Sequence, residues 1–459
     1  MIIKIANSIE LKINELPAEL YNQVIEDLTI RNPVYDVALR QGRSTFKIPK
    51  MLELYRSHGE RLILPRGYGH RLMKHIQEAG TGYQLDDQRL VLPEVHYDSA
   101  IKLREYQVPA VEALVKYRQG GVVAGCGSGK TVVMLEALAR IRQPALWVTH
   151  TQELLDQVKE RAIEMLGMEE KEIGVIASGK VAVGDRLTIA LVQTLSRINV
   201  DELVTKFGVV LIDEAHRMAA RSFYYPVGQF PALYRLWASA TPDRSDGLTN
   251  MIYAAGGPIL HTIDQCQVPT LTPDLLVVET AYQGQGEYAE LISNLVQNDQ
   301  RNSLIIRTIA AEARGNYSLV LSERIEHLEK LRAMLRIALP DMVIEILTGN
   351  MKKRERKELM DRVKTREVEI LLATQLAREG LDILHLNRLF LATPKRAAGA
   401  TQQEIGRVMR PCPGKHDALV VDFWDSKSPV LKGQFWARRE VYRKLGMEWR
   451  PEQVRRCSN

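Results

Sequence analysis

The sequence lacks the features of a secreted or membrane protein. Its 459 residues include only four cysteines, Cys126, Cys266, Cys412 and Cys457, which lie far apart and form no C-x-x-C pair. This excludes a disulfide framework and a cysteine zinc site, and it fits a reducing compartment. No apolar run reaches the ~18 residues of a membrane span, and the first residues have no signal-peptide pattern. We therefore expect an intracellular, cytoplasmic protein without a membrane partner.

Other catalytic signatures are also missing. The ten histidines show no metal-ligand spacing, and neither a Ser/His/Asp arrangement nor a nuclease signature is visible. We assign His58, His70 and His75 to a basic surface instead. What remains is an ordinary globular composition, 45% hydrophobic and 26% charged, and a length that predicts about three domains.

Positive charge is concentrated near the N-terminus. The whole chain has a net charge of +6, whereas residues 40–74 alone carry nine Lys/Arg against two acids. Such clustering is typical of nucleic-acid binding, with Arg61 and Arg66 as candidate phosphate contacts. Aromatic residues that could stack on bases lie among these cations: Phe46, Tyr55 and Tyr68. The alternatives are a solvated basic face and ordinary core aromatics.

A phosphate-binding loop is predicted at Ala124-Gly-Cys-Gly-Ser-Gly-Lys-Thr131, between a strand at Gly120–Ala124 and a helix at Val132–Arg140. Glycines at such a junction let the backbone fold around a phosphate, at which the helix N-terminus directs its N–H groups. Lys130 would reach the β- and γ-phosphates, and the Thr131 hydroxyl would hold Mg²⁺. The strict pattern has glycine at the position of Ala124. The predicted ATP-binding residues are Gly125, Cys126, Gly127, Ser128, Gly129, Lys130 and Thr131.

An acidic pair follows another predicted strand in Leu211-Ile-Asp-Glu-Ala-His216. Asp213 could hold Mg²⁺ opposite Thr131, and Glu214 could act as the general base on the attacking water. Acidic pairs at strand ends also occur as helix caps. Behind a phosphate loop, however, catalysis is the stronger interpretation.

Strands and helices alternate over two long stretches, which predicts parallel sheets covered by helices on both faces. The Pro/Thr-rich run Val268-Pro-Thr-Leu-Thr-Pro273 interrupts the alternation. The predicted domains are a small N-terminal α+β nucleic-acid-binding domain, two α/β domains and a basic C-terminal tail, at residues 1–98, 99–265, 266–425 and 426–459.

Taken in order, these motifs resemble those of the superfamily-two helicases with a DEAH box, over roughly residues 101–425. The resemblance implies two tandem RecA-like parallel-sheet lobes. In the first lobe it implies that Leu103-Arg-Glu-Tyr-Gln107 reads adenine through Arg104 and Gln107. It implies nucleic-acid contacts by Thr149, His150, Gln193 and Thr194. It also implies that hydrolysis is coupled to movement by His216, Ser239 and Thr241.

The second lobe resembles the same family. Leu321-Ser-Glu-Arg324, Thr374–Asp382 and Gln403-Glu-Ile-Gly-Arg-Val-Met-Arg410 lie where its further motifs are expected. The roles implied are nucleic-acid contact by Arg324 and Thr374, ATP contact by Gly380 and Asp382, coupling by Gln403, and arginine fingers at Arg407 and Arg410. Such arginines stabilise the γ-phosphoryl group when the lobes close. Glu379 and Glu404 stand where many family members have arginine.

The segments Glu379–Asp382 and Ala240–Gly247 resemble a phage and repair branch of this family, the UvsW-type branch-migration and XPB-type repair helicases. The resemblance implies an ATP- and Mg²⁺-dependent DNA helicase, of a kind that phages encode, that acts on branched or forked DNA with little sequence preference. Branch migration, recombination, repair and replication are the processes it implies.

Two alternatives stay open at this point. One is an RNA helicase of the same fold, because no motif here reports contacts to a 2′-hydroxyl. The other is an ATP-dependent clamp that does not hydrolyse ATP. Since the predicted ATP site lies within residues 101–425, we expect ATP hydrolysis to survive removal of residues 1–98.

Overall fold

The computed structural model describes residues 1–125, 127–215, 221–240, 248–374, 383–394 and 398–447, with the backbone alone at 221–224, 265, 353, 398–400 and 403. The chain divides into two compact units, Met1–Val268 and Pro269–Asn459. Within the described ranges, no helix combines the length and the apolar character needed to cross a membrane.

The N-terminal part of the first unit is a small α+β layer. Its elements in chain order are β1 (Ile2–Ile5), β2 (Ser8–Lys12), α1 (Ala18–Asp27), β3 (Thr29–Arg31), α2 (Pro33–Arg40), β4 (Met51–Glu53), β5 (Arg56–His58), β6 (Arg61–Pro65), α3 (Gly69–Glu78) and β7 (Gln84–Asp87). One sheet has the order β5-β6-β2-β1-β7, and β3 and β4 form a separate ribbon. Ile9, Leu11, Leu62 and Leu64 are buried at every second strand position, as the period-2 pattern predicts.

The rest of the first unit is a mostly parallel sheet. Its elements are α4 (Val108–Tyr117), β8 (Gln119–Ala124), α5 (Lys130–Ile141), β9 (Ala145–Thr149), α6 (Gln152–Leu166), β10 (Ile173–Ala177), β11 (Lys180–Ala182), β12 (Leu187–Leu191), α7 (Val192–Leu195), β13 (Val209–Asp213), α8 (Arg221–Gly228), β14 (Tyr234–Ser239), α9 (Thr249–Gly256) and β15 (Ile259–Ile263). The strand order is β11-β10-β12-β9-β13-β14-β8-β15. Successive residues of β9 enter two different apolar clusters, Trp147 in one and Val148 in the other. The sheet is therefore covered on both faces.

The second unit repeats this architecture. Its elements are β16 (Asp274–Glu279), α10 (Tyr288–Gln297), α11 (Asp299–Ala313), β17 (Ser318–Ser322), α12 (Ile325–Ala338), β18 (Ile344–Leu347), α13 (Lys353–Lys364), β19 (Ile370–Thr374), β20 (Arg388–Leu391), α14 (Ala398–Val408), β21 (Leu419–Trp424) and α15 (Pro429–Lys444). The order β16-β21-β20-β17-β19-β18 has parallel neighbours throughout the described strands. The predicted fold class, two tandem parallel-sheet domains preceded by a small α+β layer, is confirmed.

The segment predicted as a basic tail is part of the second unit as far as it is described. In α15, Arg438 donates to both carboxylate oxygens of Asp422 at 2.8 Å, and the Tyr442 hydroxyl donates to one of them at 2.6 Å. All three side chains are buried, and Phe435 of the same helix lies in the core. Loss of one partner of a buried ion pair is strongly destabilising, because it leaves the other charge buried and unpaired. Helix α15 is therefore an integral element of the second unit, and the tail prediction is corrected for Pro429–Lys444.

Candidate nucleotide site and nucleic-acid contacts

The carboxyl edge of the first unit's parallel sheet brings together three predicted motifs. Strand β8 ends directly before the phosphate loop, β13 ends at Asp213, and β14 ends at Ser239. These strands are neighbours, with Asp213 paired to Ala238 and Ser239 paired to Val123. Ligands of parallel α/β sheets bind outside the carboxyl ends of the strands. The geometry therefore places a ligand crevice where these motifs meet.

The phosphate loop has a backbone conformation that requires glycine. Gly127 and Gly129 have φ angles of +83° and +81°, in the left-handed region that L-residues disfavour. Ser128 Oγ donates to the Gly125 carbonyl at 2.7 Å, which closes the loop. Helix α5 begins at Lys130, and the N–H groups of a first helical turn have no acceptors within their own helix. The loop is thus preformed to bind an anion.

Gln107 supports this loop directly. Its side-chain Nε2 donates to the Ser128 carbonyl at 2.8 Å, and its Oε1 accepts the backbone N–H of Arg104 at 2.9 Å. A Cβ atom at Gly129 would lie 2.5 Å from Gln107 Nε2, so the contact also requires glycine there. Gln107 is buried, whereas the exposed Arg104 donates to the Tyr106 hydroxyl at 3.1 Å. The residue predicted to read adenine therefore also holds the phosphate loop.

Asp213 is a buried carboxylate with a perturbed pKa. Burial, followed by the neighbouring Glu214 carboxylate, raises the pKa of Asp213 to about 6, although Lys130 opposes the shift. The Glu214 backbone N–H donates to Asp213 Oδ1 at 2.9 Å, and Glu214 has a φ of +53°, which is uncommon outside glycine. Lys130 Nζ donates to the Ala124 carbonyl at 3.3 Å. A buried carboxylate of this kind is stabilised in its charged form by a nearby cation.

The donor set fits magnesium bound together with nucleotide. The described side chains contain no group of three or more His, Cys, Asp or Glu residues that could hold a metal. Mg²⁺ usually keeps several waters and takes one or two protein ligands plus substrate phosphates. The Thr131 hydroxyl, in the first turn of α5, and the Asp213 carboxylate are groups of the required kind.

Some predicted site residues fall outside the described part of the chain. They are Cys126, His216, Thr241, Gly380, Asp382 and the side chain of Gln403. Ser239, two residues before Thr241, is described and is fully buried at the end of β14. The roles assigned to these positions stay predictions.

The residues predicted to contact nucleic acid from the first lobe lie at two adjacent strand ends. Thr149 ends β9 and is 0% exposed, so its side chain cannot reach a bound strand in this conformation, and that prediction is corrected. The exposed Gln193, just after β12, donates through Nε2 to the His150 carbonyl at 2.8 Å. His150 and the neighbouring Thr194 are half-buried. His150, Gln193 and Thr194 stay candidates.

Arg61 and Arg66 have opposite environments. Arg61 is exposed, with its Nη1 3.8 Å from Glu10, and it stays a candidate phosphate contact. Arg66 is 3% exposed and donates to Gln119 Oε1 at 2.8 Å and to the Ala232 carbonyl at 2.6 Å. An enclosed guanidinium cannot bind DNA. The prediction for Arg66 is therefore corrected, because this residue fastens the N-terminal layer to the parallel sheet.

The neighbouring Gly67 shows how closely these two layers pack. A Cβ atom at Gly67 would lie 2.3 Å from the Tyr253 carbonyl of α9. The N-terminal layer and the parallel sheet also belong to one compact unit. Removal of residues 1–98 would uncover this packed surface and the partners of Arg66. The structure thus argues against the expectation that ATP hydrolysis survives that truncation.

Tyr68, a candidate for base stacking, and His75, assigned to the basic face, are both buried around one carboxylate. The Tyr68 hydroxyl donates to Asp27 Oδ2 at 2.8 Å, and His75 Nε2 lies 2.8 Å from the same oxygen. Burial, together with the hydrogen bond to Asp27, raises the pKa of Tyr68. Tyr68 is therefore a core residue rather than a base-stacking one, and His75 does not belong to an exposed face.

In the second unit, two predicted nucleic-acid contacts lie at the carboxyl edge of the sheet. Ser322, at the end of β17, is in register with Thr374, at the end of β19. Arg324 follows β17, and its backbone N–H donates to Ser322 Oγ at 3.3 Å. Thr374 is mostly buried, at 8% exposure. Arg407 in the last turn of α14, and Arg410 just after it, are half-buried.

This edge is positioned by a buried hydrogen-bond network that no sequence motif marks. Ser322 Oγ lies 2.9 Å from His327 Nδ1, and His327 Nε2 lies 3.0 Å from Asn302 Oδ1. Burial, and then the charges of Arg301 and Lys330, lower the pKa of His327 to about 3. The ring is therefore neutral near pH 7. The sequence offers no signal for this network, because Asn302 joins it only through the tertiary fold.

The fold and the preformed phosphate loop define a nucleotide-binding protein with two RecA-like units. Residues 100–244 match the family described as type III restriction enzyme, res subunit, and residues 300–412 match the helicase conserved C-terminal domain. With the relatives below, these matches show that the chain belongs to the superfamily-two helicases and is an ATP-dependent helicase.

Several named relatives are helicases. The putative ATP-dependent RNA helicase L396 of Acanthamoeba polyphaga mimivirus is 27% identical over 96% of this chain and 86% of its own length. The DNA 3'-5' translocase XPB2 of Sulfurisphaera tokodaii is 32% identical, but over only 35% of this chain and 36% of its own. The probable helicase D10 of Escherichia phage T5 is 26% identical over 81% of this chain and 82% of its own.

A solved helicase structure supports the fold. Saccharomyces cerevisiae Dbp5 bound to RNA and ADP BeF3 aligns with 78% of this chain and 90% of its own at a TM-score of 0.55 and 15% identity. T4 UvsW aligns with 100% of this chain and 99% of its own at a TM-score of 0.42 and 16% identity. The fold assignment rests on the closer match to Dbp5.

Proposed function

We propose that this chain is an ATP-dependent DNA helicase or translocase that acts on branched or forked DNA. The observation that carries the proposal is the meeting of the phosphate loop with Asp213 and Glu214 at one sheet edge. Its support comes from relatives named as DNA enzymes, the translocase XPB2 and the DNA 3'-5' helicase XPB of Kineococcus radiotolerans. Phosphate contacts would dominate binding, so sequence preference should be slight.

The residues of the nucleotide site have distinct roles in this proposal. ATP bound with Mg²⁺ supplies the phosphoanhydride bond whose hydrolysis drives movement. Lys130 and the first-turn N–H groups of α5 bind the phosphates, and Thr131 and Asp213 hold the metal ion. Glu214 accepts a proton from the attacking water. Arg407 and Arg410 stay the candidates that neutralise charge on the transferred phosphoryl group.

The N-terminal layer supplies the charge needed to hold duplex DNA near the motor. Of the nine Lys/Arg residues in 40–74, only Arg66 is buried, and the other eight are exposed. Eight exposed cations on one small layer create the positive potential that attracts a phosphate backbone. Duplex held beside a translocating unit would let strands re-pair or a junction migrate. This is why we assign branched DNA, rather than single strands alone, as the substrate.

RNA is the second candidate substrate. The observation in its favour is that the relative matching 96% of this chain is named a putative RNA helicase. Nothing in the described residues identifies a contact to a 2′-hydroxyl, the group by which proteins distinguish RNA from DNA. The two substrates therefore have to be compared directly.

The test is strand displacement by the full chain with ATP and Mg²⁺ on matched substrates. These are a DNA fork, a DNA four-way junction, a plain DNA duplex with a single-stranded tail, and an RNA fork of the same sequence. We expect the two branched DNA substrates to be processed fastest, and Glu214→Gln to process none. Faster processing of the RNA fork would assign RNA instead. Equal rates on all the DNA substrates would remove the branched preference.

A further inference from the structure

Residues 32–50 form a projection from the N-terminal layer, here named the basic arm. The ribbon of β3 and β4 forms its base. Asn32 closes the arm, because its backbone N–H donates to the Lys50 carbonyl at 3.1 Å and its side-chain Nδ2 donates to the Pro49 carbonyl at 2.7 Å. Asn32 Oδ1 also accepts the Val34 N–H, which caps α2. These bonds give the arm a defined path although it has almost no core of its own.

The base of the arm is attached to the ATP-binding part of the first unit. Ile30 of β3 and Met251 of α9 are buried in one apolar cluster. Leu52 and Leu54, which follow the arm, pack on the same cluster. Since α9 packs on β8 and β14 of the parallel sheet that carries the phosphate loop, the arm has a fixed position relative to that loop.

The arm exposes apolar side chains at positions that solvation does not explain. Phe46 is 89% exposed, and within the described residues no other large apolar side chain is more exposed. Leu39 and Val34 are 60% and 59% exposed, and Val37 is 48% exposed. Contiguous exposed apolar groups with a polar rim mark interaction sites in soluble proteins.

The charges around Phe46 specify the kind of partner. The exposed cations of the arm are Arg40, Arg43, Lys47 and Lys50. Its one acid, Asp36, is paired with Arg31 at 2.8 Å. Charge complementarity therefore selects a polyanion. An exposed aromatic ring among cations fits nucleic acid whose bases are accessible, because the ring stacks on a base while the cations contact neighbouring phosphates.

We propose that the basic arm binds DNA at the branch point, with Phe46 stacked on the base pair exposed where strands separate and with Arg43 and Lys47 on adjacent phosphates. The proposal rests on the proposed function and names the part of the substrate that this surface recognises. A branch point differs from plain duplex in exposing the face of a base pair. Stacking on that face is insensitive to sequence, as a junction-specific enzyme requires.

The experiment compares Phe46→Ala, Phe46→Trp and wild type, with Ile337→Ala as the matched control. Ile337 is 84% exposed and lies in the second unit, outside the arm. Fork binding is measured without ATP at one fixed salt concentration, using a fluorescent adenine analogue at the branch point. We expect Phe46→Ala to bind the fork about 5- to 100-fold more weakly. Phe46→Trp should keep both the affinity and the quenching of the analogue, and Ile337→Ala should match wild type.

Three further readouts complete the test. Replacing Arg43, Lys47 and Lys50 together by Gln should reduce the log–log salt slope by about 0.9 for each DNA phosphate that these side chains neutralise in the wild type. Binding of ATP without nucleic acid should be unchanged in Phe46→Ala, because the arm lies outside the nucleotide site. A midpoint of thermal unfolding equal to that of wild type would show that each variant folds normally.

Fork affinity and quenching equal to wild type in Phe46→Ala would overturn the proposal. The proposal would also be overturned if Phe46→Ala bound the fork as tightly as wild type but no longer bound phosphatidylserine vesicles to which wild type binds. That result would assign the arm to a membrane surface. Because binding is measured without ATP, the arm is tested even if wild type displaces no strand. Failure of wild type to displace a strand would contradict the proposed function and would leave the proposal for the arm intact.

Discussion

The side-chain amide of Gln107 donates to the backbone carbonyl of Ser128 at 2.8 Å, which joins the segment before α4 to the phosphate loop. The other end of the same amide accepts the N–H of Arg104 at 2.9 Å. Any movement of this segment, for example when a base binds beside it, would therefore act on the loop that binds the phosphates. Support of the loop is what these bonds show, whereas recognition of the base stays a prediction that has to be tested separately.

We expect Gln107→Ala to weaken binding of both ATP and inorganic tripolyphosphate by about 5- to 10-fold, on the scale of one hydrogen bond. Gln107→Glu should behave like the Ala variant, because a carboxylate cannot donate to the Ser128 carbonyl. Calorimetric titration measures both affinities. A loss for ATP with unchanged tripolyphosphate binding would mean that Gln107 only reads adenine. Arg104→Ala is the control for tripolyphosphate binding alone, because its exposed side chain donates to the Tyr106 hydroxyl and is itself predicted to contact adenine.

Arg61 and Arg66 form a matched pair for separating surface charge from structure. We expect Arg66→Ala to lower the free energy of unfolding of the first unit by about 3 kcal/mol, because it removes the donor to the half-buried Gln119 Oε1 and to the buried Ala232 carbonyl. Arg61→Ala should change stability by less than about 0.5 kcal/mol but weaken DNA binding. Urea unfolding and a salt titration of DNA binding measure the two effects. Equal stability of the two variants would contradict the assignment of Arg66.

Acid should destabilise the second unit through His327. Its folded pKa of about 3 lies below the value of about 6.5 expected in the unfolded chain. The stability that depends on neutral His327 is therefore complete above pH 6.5 and falls as the pH decreases towards 3. The slope is up to about 1.4 kcal/mol per pH unit. His385, whose pKa burial lowers to about 4, contributes in the same direction.

The check is chemical denaturation between pH 7.5 and about 4.5, a range that covers the upper part of this titration. His327→Gln should be less stable at pH 7.5 but should lose less stability on acidification than wild type. His416→Gln, an exposed substitution in the same unit, is the control. Parallel pH profiles for wild type and His327→Gln would contradict this explanation.

Arg407 and Arg410 are predicted to act in the transition state. Replacing either by Ala should lower kcat by about 10³ or more, with a smaller effect on nucleotide affinity, as for other arginine fingers. Arg336→Ala, at an exposed position of α12, serves as the control. Steady-state ATPase assays and nucleotide titrations separate the two effects. Weaker affinity with intact kcat would mean that these arginines only bind ground-state phosphate.

The sequence was sufficient for the features that depend on local pattern. Alternation of strands and helices predicted both parallel sheets, and Gly127 and Gly129 marked the loop whose positive φ angles need glycine. The sequence was not sufficient to predict which polar and charged side chains are buried, because burial depends on the tertiary environment. Arg61 and Arg66 lie in the same basic segment, and only the packing of the N-terminal layer on β8 separates an exposed cation from a buried one.

The C-terminal segment and the basic arm show the same limit. The cations of α15 suggest a solvated helix, yet Arg438 is buried because Asp422 lies on the strand beside it. Conversely, Phe46 is a large apolar residue of the type usually found in a core, but it is exposed. It lies on the arm that Asn32 closes, and this arm has almost no core of its own. Whether Arg438 or Phe46 is buried therefore depends on which described residues the tertiary fold places beside it, and a local sequence pattern does not give that information.

The most direct test of the central claim is the steady-state rate of ATP hydrolysis by wild type, Lys130→Ala and Glu214→Gln, each with and without forked DNA. We predict that forked DNA stimulates ATP hydrolysis by wild type and that both variants hydrolyse no ATP above background. Glu214→Gln should still bind ATP, because it keeps the phosphate loop and loses only the general base. Wild-type rates in Lys130→Ala, or hydrolysis in wild type that no nucleic acid stimulates, would contradict the assignment of this site to a nucleic-acid motor.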